Sequence, residues 1–100
     1  MAKATIRFAE SALSDLQEIK AWYTGQQAPE VGDRLVADIF TRIETLAAHP
    51  ELGRIVPEFE QPFLRELIHP PIRIVYRRDP RLVRIIRVWR SERLLRLDQG

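Results

Sequence analysis

Cysteine is absent from the 100-residue chain. That excludes a disulfide framework, a thiolate nucleophile and any zinc site built on sulfur. The absence fits a reducing cytoplasm, where the protein is expected to act. Lysine is almost missing too: only Lys3 and Lys20 occur, and residues 51–100 contain none. Long apolar runs are lacking, so no segment approaches the ~20 residues that a membrane helix needs. The opening Met1-Ala2-Lys3-Ala4-Thr5 leads into alternating residues rather than an apolar stretch, so no signal peptide is expected. Only two histidines, His49 and His69, are present. They do not form a metal-ligand cluster, and no metal or cofactor is expected.

What remains is an ordinary globular balance, 45% hydrophobic and 30% charged. A chain of this length makes one domain, and residues 1–100 are taken as a single unit. The net charge of +2 hides an asymmetry. Residues 1–50 carry five basic and seven acidic side chains; residues 51–100 carry eleven basic and seven acidic. All eleven basic residues of the second half are arginines. Arginine's planar fork of donors suits phosphate and carboxylate, and it stacks on flat rings. A GC-rich genome would also favour arginine codons.

Periodicity divides the chain. Thr5-Ile6-Arg7-Phe8 alternates as a short strand. Ser11 is a candidate N-cap for a helix reaching about Thr24, with Leu13, Leu16, Ile19 and Tyr23 on its apolar face and Asp15, Glu18 and Lys20 pointing outward. Gly25 to Pro29 breaks that helix. A second begins near Pro29 or Glu30, because proline is well tolerated in the first turn. Its stripe is Val31, Leu35, Val36, Ile39, Phe40, Ile43, Leu46 and Ala47, and Pro50 ends it. After a loop over Glu51–Pro62 the period changes to two. Strands are expected at Phe63–His69, Ile72–Arg78 and Leu82–Arg90, joined by Pro70-Pro71 and by Asp79-Pro80-Arg81. The last is the longest and most apolar, and is expected to be central. The fold class is therefore α+β: an N-terminal strand and a two-helix hairpin packed on one face of a C-terminal antiparallel sheet. Tyr76 shares a face with Ile72 and Ile74 and reads as core. Arg73 and Arg77 would decorate the opposite face.

This order of elements is similar to that of the ParE/RelE toxin superfamily. Local segments resemble it as well: Phe8–Ile19 its strand-to-helix opening, Leu46–Arg54 the end of its second helix, and Leu64-Arg65-Glu66-Leu67 and Ile72–Arg77 its second and third strands. Ile86–Arg93 resembles its last strand and the basic turn after it. The likeness covers residues 5 to about 93 and is strongest to the ParE-like branch. It implies the toxin of a bacterial type II toxin–antitoxin pair, forming a hetero-oligomer with its antitoxin.

The two branches of that superfamily differ in target. RelE-like members cut messenger RNA on the ribosome, while ParE-like members poison DNA gyrase. The resemblance places Arg73 where RelE-like enzymes stabilise phosphate. It also places Leu64 and Glu66 where those enzymes carry basic residues, and Ser91–Gly100 supplies neither the tyrosine nor the histidine they carry after the last strand. Arginine is too weak an acid to act as a general base. The expectation is therefore a gyrase inhibitor without an active site, neutralised by an acidic, amphipathic, ParD-like antitoxin; ribosome-dependent mRNA cleavage through Arg73 is the alternative. Arg65, Arg73, Arg77, Arg90 and Arg93 are the candidate target contacts. Trp89, Leu94, Leu95 and Leu97 are the candidate antitoxin contacts, with Trp89 able to serve instead as a core aromatic.

Overall fold

The computed structural model describes residues 3–90. Its elements are β1 (Thr5–Phe8), α1 (Glu10–Gly25), α2 (Pro29–Glu44), a 3-10 turn (Thr45–Ala47), β2 (Arg54–Ile55), β3 (Leu64–His69), β4 (Ile72–Asp79) and β5 (Leu82–Arg90). The strands form one sheet in the order β1-β5-β4-β3-β2. All neighbours are antiparallel except β1, which runs parallel to β5 with Thr5 opposite Leu82 and Phe8 opposite Ile85. Strand β5 is internal, as its apolar sequence suggests, but the middle strand of the five is β4.

The helix hairpin covers one face of this sheet. Ala12, Leu16 and Ile19 of α1 and Val36, Ile39 and Ile43 of α2 meet Leu67, Ile72, Ile74, Tyr76, Val83, Ile85 and Val88 from the strands. Fully burying an aliphatic side chain stabilises by roughly 1.5–3 kcal/mol, so this cluster is the principal support of the fold. The two helices approach closely because Gly32 faces Tyr23. A Cβ on Gly32 would lie 2.9 Å from the Tyr23 Cβ, a distance that would push the helices apart.

Several expectations about α1 are corrected. Ser11 lies inside the helix, and Ala9 occupies the N-cap with no side-chain bond. The Ser11 hydroxyl instead donates to the Ile86 carbonyl at 2.6 Å. Leu13 is half exposed and Asp15 is buried, the reverse of the expected faces. The reason lies in the sheet edge. Strand β1 ends at Phe8, opposite Ile85, and the remainder of β5 would be left with unpaired backbone groups. Helix α1 lies along that stretch, and Ser11 and Asp15 satisfy it with side chains. On α2, Val31 and Phe40 are also partly exposed, although the Phe40 ring tilts against Phe8 with centroids 5.5 Å apart.

Strand β5 carries an irregularity that alternation alone could not reveal. Val75 pairs with Arg87 while Tyr76 pairs with Ile85, so Ile86 is an extra residue. This bulge lets Ile85 and Val88 both enter the core, and it turns Arg84 and Arg87 both to the opposite face.

Candidate functional site on the open face of the sheet

The face away from the helices is built in rows, because residues paired across adjacent strands point the same way. One row in from the β4–β5 turn, past Asp79, Leu82 and Thr5, the first of three functional rows sets Leu64, Arg77, Arg84 and Arg7 side by side across β3, β4, β5 and β1. The next row is Arg54, Glu66, Val75 and Arg87. The third is Ile68, Arg73 and Trp89.

Glu66 organises the centre. Its side chain has no solvent exposure, and its carboxylate accepts from Arg54 Nε at 2.5 Å and from Arg73 Nε. A buried carboxylate without such partners would be strongly unfavourable, so the two guanidiniums are required by its burial. Arg73 is held a second time by Glu58, on the loop before β3, through Nη1 at 3.0 Å and Nη2 at 2.7 Å. The forked pair holds the Glu58 carboxyl below the usual carboxylate range and raises the Arg73 guanidinium further above its own. Arg73 therefore has donors on both sides engaged by carboxylates.

Arg87 closes the edge. It donates to Asp15 through Nε at 2.7 Å and Nη2 at 2.8 Å, and its guanidinium lies 4.2 Å from the centre of the Trp89 ring. The bond to Asp15 raises the Arg87 pKa. Trp89 is thus half-buried on the open face beside Arg73 and the exposed Ile68. Arg77 is half exposed, contacts Asp79 at 3.0 Å and stacks over Phe63.

The five arginines expected to contact a target do not form one patch. Arg73 and Arg77 share the open face. Arg65 pairs with the core residue Tyr76 and donates to the Pro62 and Gly53 carbonyls, bracing the segments on either side of β2. Arg90 pairs with the core residue Ile72 and places its guanidinium 4.1 Å from the Trp22 ring centre. Arg93 lies outside the described residues, as do Leu94, Leu95 and Leu97. Tyr76 is core as expected, and its hydroxyl is a tie as well. It donates to the Pro50 carbonyl at 2.6 Å and accepts from the Gly53 N–H at 2.9 Å. His49 is exposed beyond the 3-10 turn, and His69 ends β3 opposite Ile72.

Sequence reasoning missed Arg7 and Arg84 on this face. It also missed the acidic residues Glu58, Glu66 and Asp15 that neutralise its other cations. The alternation of Ile6-Arg7-Phe8 and Val83-Arg84-Ile85 was a sufficient signal that both arginines point away from the core. Among the described residues no group of histidine, aspartate or glutamate is arranged to hold a metal ion, and no helix is long and apolar enough to cross a membrane.

The chain is thus a small α+β domain with a helix hairpin on one sheet face and an arginine-rich, ion-paired opposite face. Residues 6–95 match the family of the ParE toxin of the type II toxin–antitoxin system parDE, and the chain belongs to that family. Toxin RelE2 of Caulobacter vibrioides is 37% identical over 84 residues, covering 83% of this chain and 90% of its relative. Among solved structures, the chromosomal ParDE system from P. aeruginosa shares the fold at a TM-score of 0.74 and 24% identity, covering 88% of this chain and 96% of the other. The toxin–antitoxin complex RelBE2 from Mycobacterium tuberculosis does so at 0.63 and 22%, covering 88% and 98%. The protein is a type II toxin–antitoxin toxin of the ParE/RelE group.

Proposed function

We propose that this toxin acts in the cytoplasm on DNA gyrase, as an inhibitor that works by binding, and that a ParD-like antitoxin neutralises it. The observation that carries the reading is the double engagement of Arg73 by Glu58 and Glu66. Cleavage of RNA through the 2′-hydroxyl requires cations free to meet a phosphate and a base to take a proton. Here the matching arginine lies between two carboxylates, whose charge opposes an incoming phosphate. A binding inhibitor needs no such constellation. It needs a rigid surface of defined charge, and the lattice Arg54–Glu66–Arg73–Glu58 supplies rigidity while Arg77 offers an exposed cation. Of the expected target contacts, Arg77 belongs to this surface and Arg73 is locked within it, Arg65 and Arg90 lie on the other side of the sheet and would touch a target only beyond this face, and Arg93 is kept as a proposed contact.

The antitoxin assignment rests on family membership and on exposed apolar residues. Trp89 and Ile68 flank Arg73 on the open face and would anchor an acidic amphipathic segment, with Leu94, Leu95 and Leu97 extending the contact.

The test is a pair of reactions with the purified full-length toxin: supercoiling by gyrase, and cleavage of mRNA on programmed ribosomes. Inhibited supercoiling with intact mRNA is expected. Cleaved mRNA with unaffected gyrase, abolished by Arg73→Ala, would establish the ribonuclease reading instead.

A further inference from the structure

The row one step in from the β4–β5 turn has a charge pattern that the fold does not explain. Arg7, Arg84 and Arg77 occupy directly paired positions on three adjacent strands, β1, β5 and β4. Like charges directly opposite one another in a sheet are destabilising. Everywhere else on this face a cation is met by a carboxylate: Arg54 and Arg73 by Glu66, Arg73 again by Glu58, Arg87 by Asp15. Among the described residues the one counter-charge paired with this row is Asp79, in the neighbouring row, which accepts from the Nε of Arg77. Arg7 and Arg84 are exposed and have no carboxylate partner among the described residues. The buried side of the same segments is ordinary core, with Val83 and Ile85 fully enclosed. The cations are therefore not needed to hold the strands together.

We infer that the Arg7–Arg84–Arg77 row grips the phosphodiester backbone of duplex DNA. Adjacent strands are about 4.8 Å apart, so the row presents three guanidiniums along roughly 10 Å. Duplex DNA carries one negative charge per ~1.7 Å of axis and binds such arrays by releasing counterions. Arginine is suited to this because its fork matches phosphate oxygens. The neighbouring side chains select a duplex over a single strand. Single-stranded nucleic acids are held by aromatic side chains on which bases stack. The rings near this row are already covered by guanidiniums: Phe63 lies against that of Arg77, and Trp89, two rows away, against that of Arg87. The row therefore contacts backbone without reading sequence. The inference deepens the gyrase reading, since the DNA would be the segment held by gyrase, and it can fail independently of it.

The experiment measures fluorescence anisotropy of a mixed-sequence DNA duplex of about 20 base pairs, titrated with the full-length toxin at several salt concentrations. Wild-type binding should weaken linearly in log salt. The R7Q/R84Q protein should show a slope shallower by about two and an affinity about tenfold lower or worse at low salt. R7K/R84K, which keeps the charge, should recover most of the binding. Arg34→Gln on the exposed side of α2 should bind as wild type does. Unchanged duplex affinity in R7Q/R84Q, an equal loss in Arg34→Gln, or tighter binding to single-stranded RNA would overturn the inference. Thermal melting of each variant confirms that it is folded. If wild-type toxin inhibits supercoiling while R7Q/R84Q binds DNA undiminished, the inference fails and the gyrase reading stands. If the row binds duplex but gyrase is unaffected, the converse holds.

Discussion

The carboxylate of Asp15 reaches across the sheet edge to the backbone N–H of Val88 at 2.9 Å, where the strand ladder has run out. The same carboxylate holds Arg87 through two further bonds. One side chain of α1 thus completes β5 and fixes the guanidinium that lies over Trp89. Asp15→Ala should destabilise the fold by about 2–4 kcal/mol, because it leaves a buried N–H unsatisfied and removes the partner of a partly buried cation. Asp15→Asn, which keeps an acceptor for Val88, should cost about half as much. Urea unfolding would read this as a lower midpoint at an unchanged slope. A shift of the alanine variant below ~0.5 kcal/mol would be that of an ordinary surface site and would refute the role.

Glu58 gives a pH dependence whose sign follows from its environment. Arg73 holds its carboxyl below the ordinary range. A carboxyl depressed in the folded state contributes stability above its unfolded pKa, and that contribution is lost as pH falls through the folded value. Wild type should therefore be more stable than Glu58→Gln near neutrality, and the two melting curves should converge in acid below the usual carboxylate range. The difference at neutral pH should be modest, because Glu58 is partly exposed to solvent. A gap that persists undiminished at low pH would show that the pair is not its source.

Tyr76 and Gly53 form a second tie, between β4 and the loop that carries β2. Removing the hydroxyl in Tyr76→Phe strands the Gly53 N–H and the Pro50 carbonyl and should cost about 1–3 kcal/mol. Burial raises the Tyr76 pKa, so its contribution should persist up to the ordinary tyrosine range and fade only as pH rises through the elevated value. Gly53→Ala attacks the same junction sterically. Its Cβ would lie 2.6 Å from the Glu66 carbonyl oxygen and 2.8 Å from the Tyr76 ring. We expect Gly53→Ala to be at least as damaging as Tyr76→Phe, measured by thermal melting; a neutral alanine would mean that the loop moves away freely.

The order of elements was legible because each carries its own period: 3.6 across the hairpin, two across β3, β4 and β5. The two-residue β2 was hidden inside the loop Glu51–Pro62, since Arg54-Ile55 is too short to show a pattern. The faces of α1 were misread at Leu13 and Asp15 because apolar spacing cannot announce that a helix must also satisfy a strand edge. The bulge at Ile86 escaped for a related reason: it is defined by the partner strand, not by β5 itself. On the open face the arginines were legible as residue types, but their pairing was not. Glu66 and Arg54 are twelve residues apart, and Arg87 and Asp15 seventy-two. Whether a cation is neutralised or left open depends on those distant partners, which is why Arg73 drew notice and Arg7 did not.

Trp89 offers the sharpest test of the antitoxin assignment. The ring stands on the open face between the exposed Ile68 side and the Arg87 guanidinium, so a partner's apolar segment could cover it without disturbing the core. Buried tryptophans at interfaces commonly contribute about 2 kcal/mol or more. Trp89→Ala should therefore weaken the complex with the cognate antitoxin about thirtyfold, measured by calorimetry with separately purified partners. The loss should appear mainly in a faster dissociation rate, as interface truncations do. Deleting residues 94–100 tests the remaining contacts separately, and should also lower affinity in a chain that still melts cooperatively. Should Trp89→Ala bind the antitoxin as wild type does while Leu13→Ala on the exposed side of α1 does not, the antitoxin would lie on the helix hairpin and the open face would be left entirely to the target.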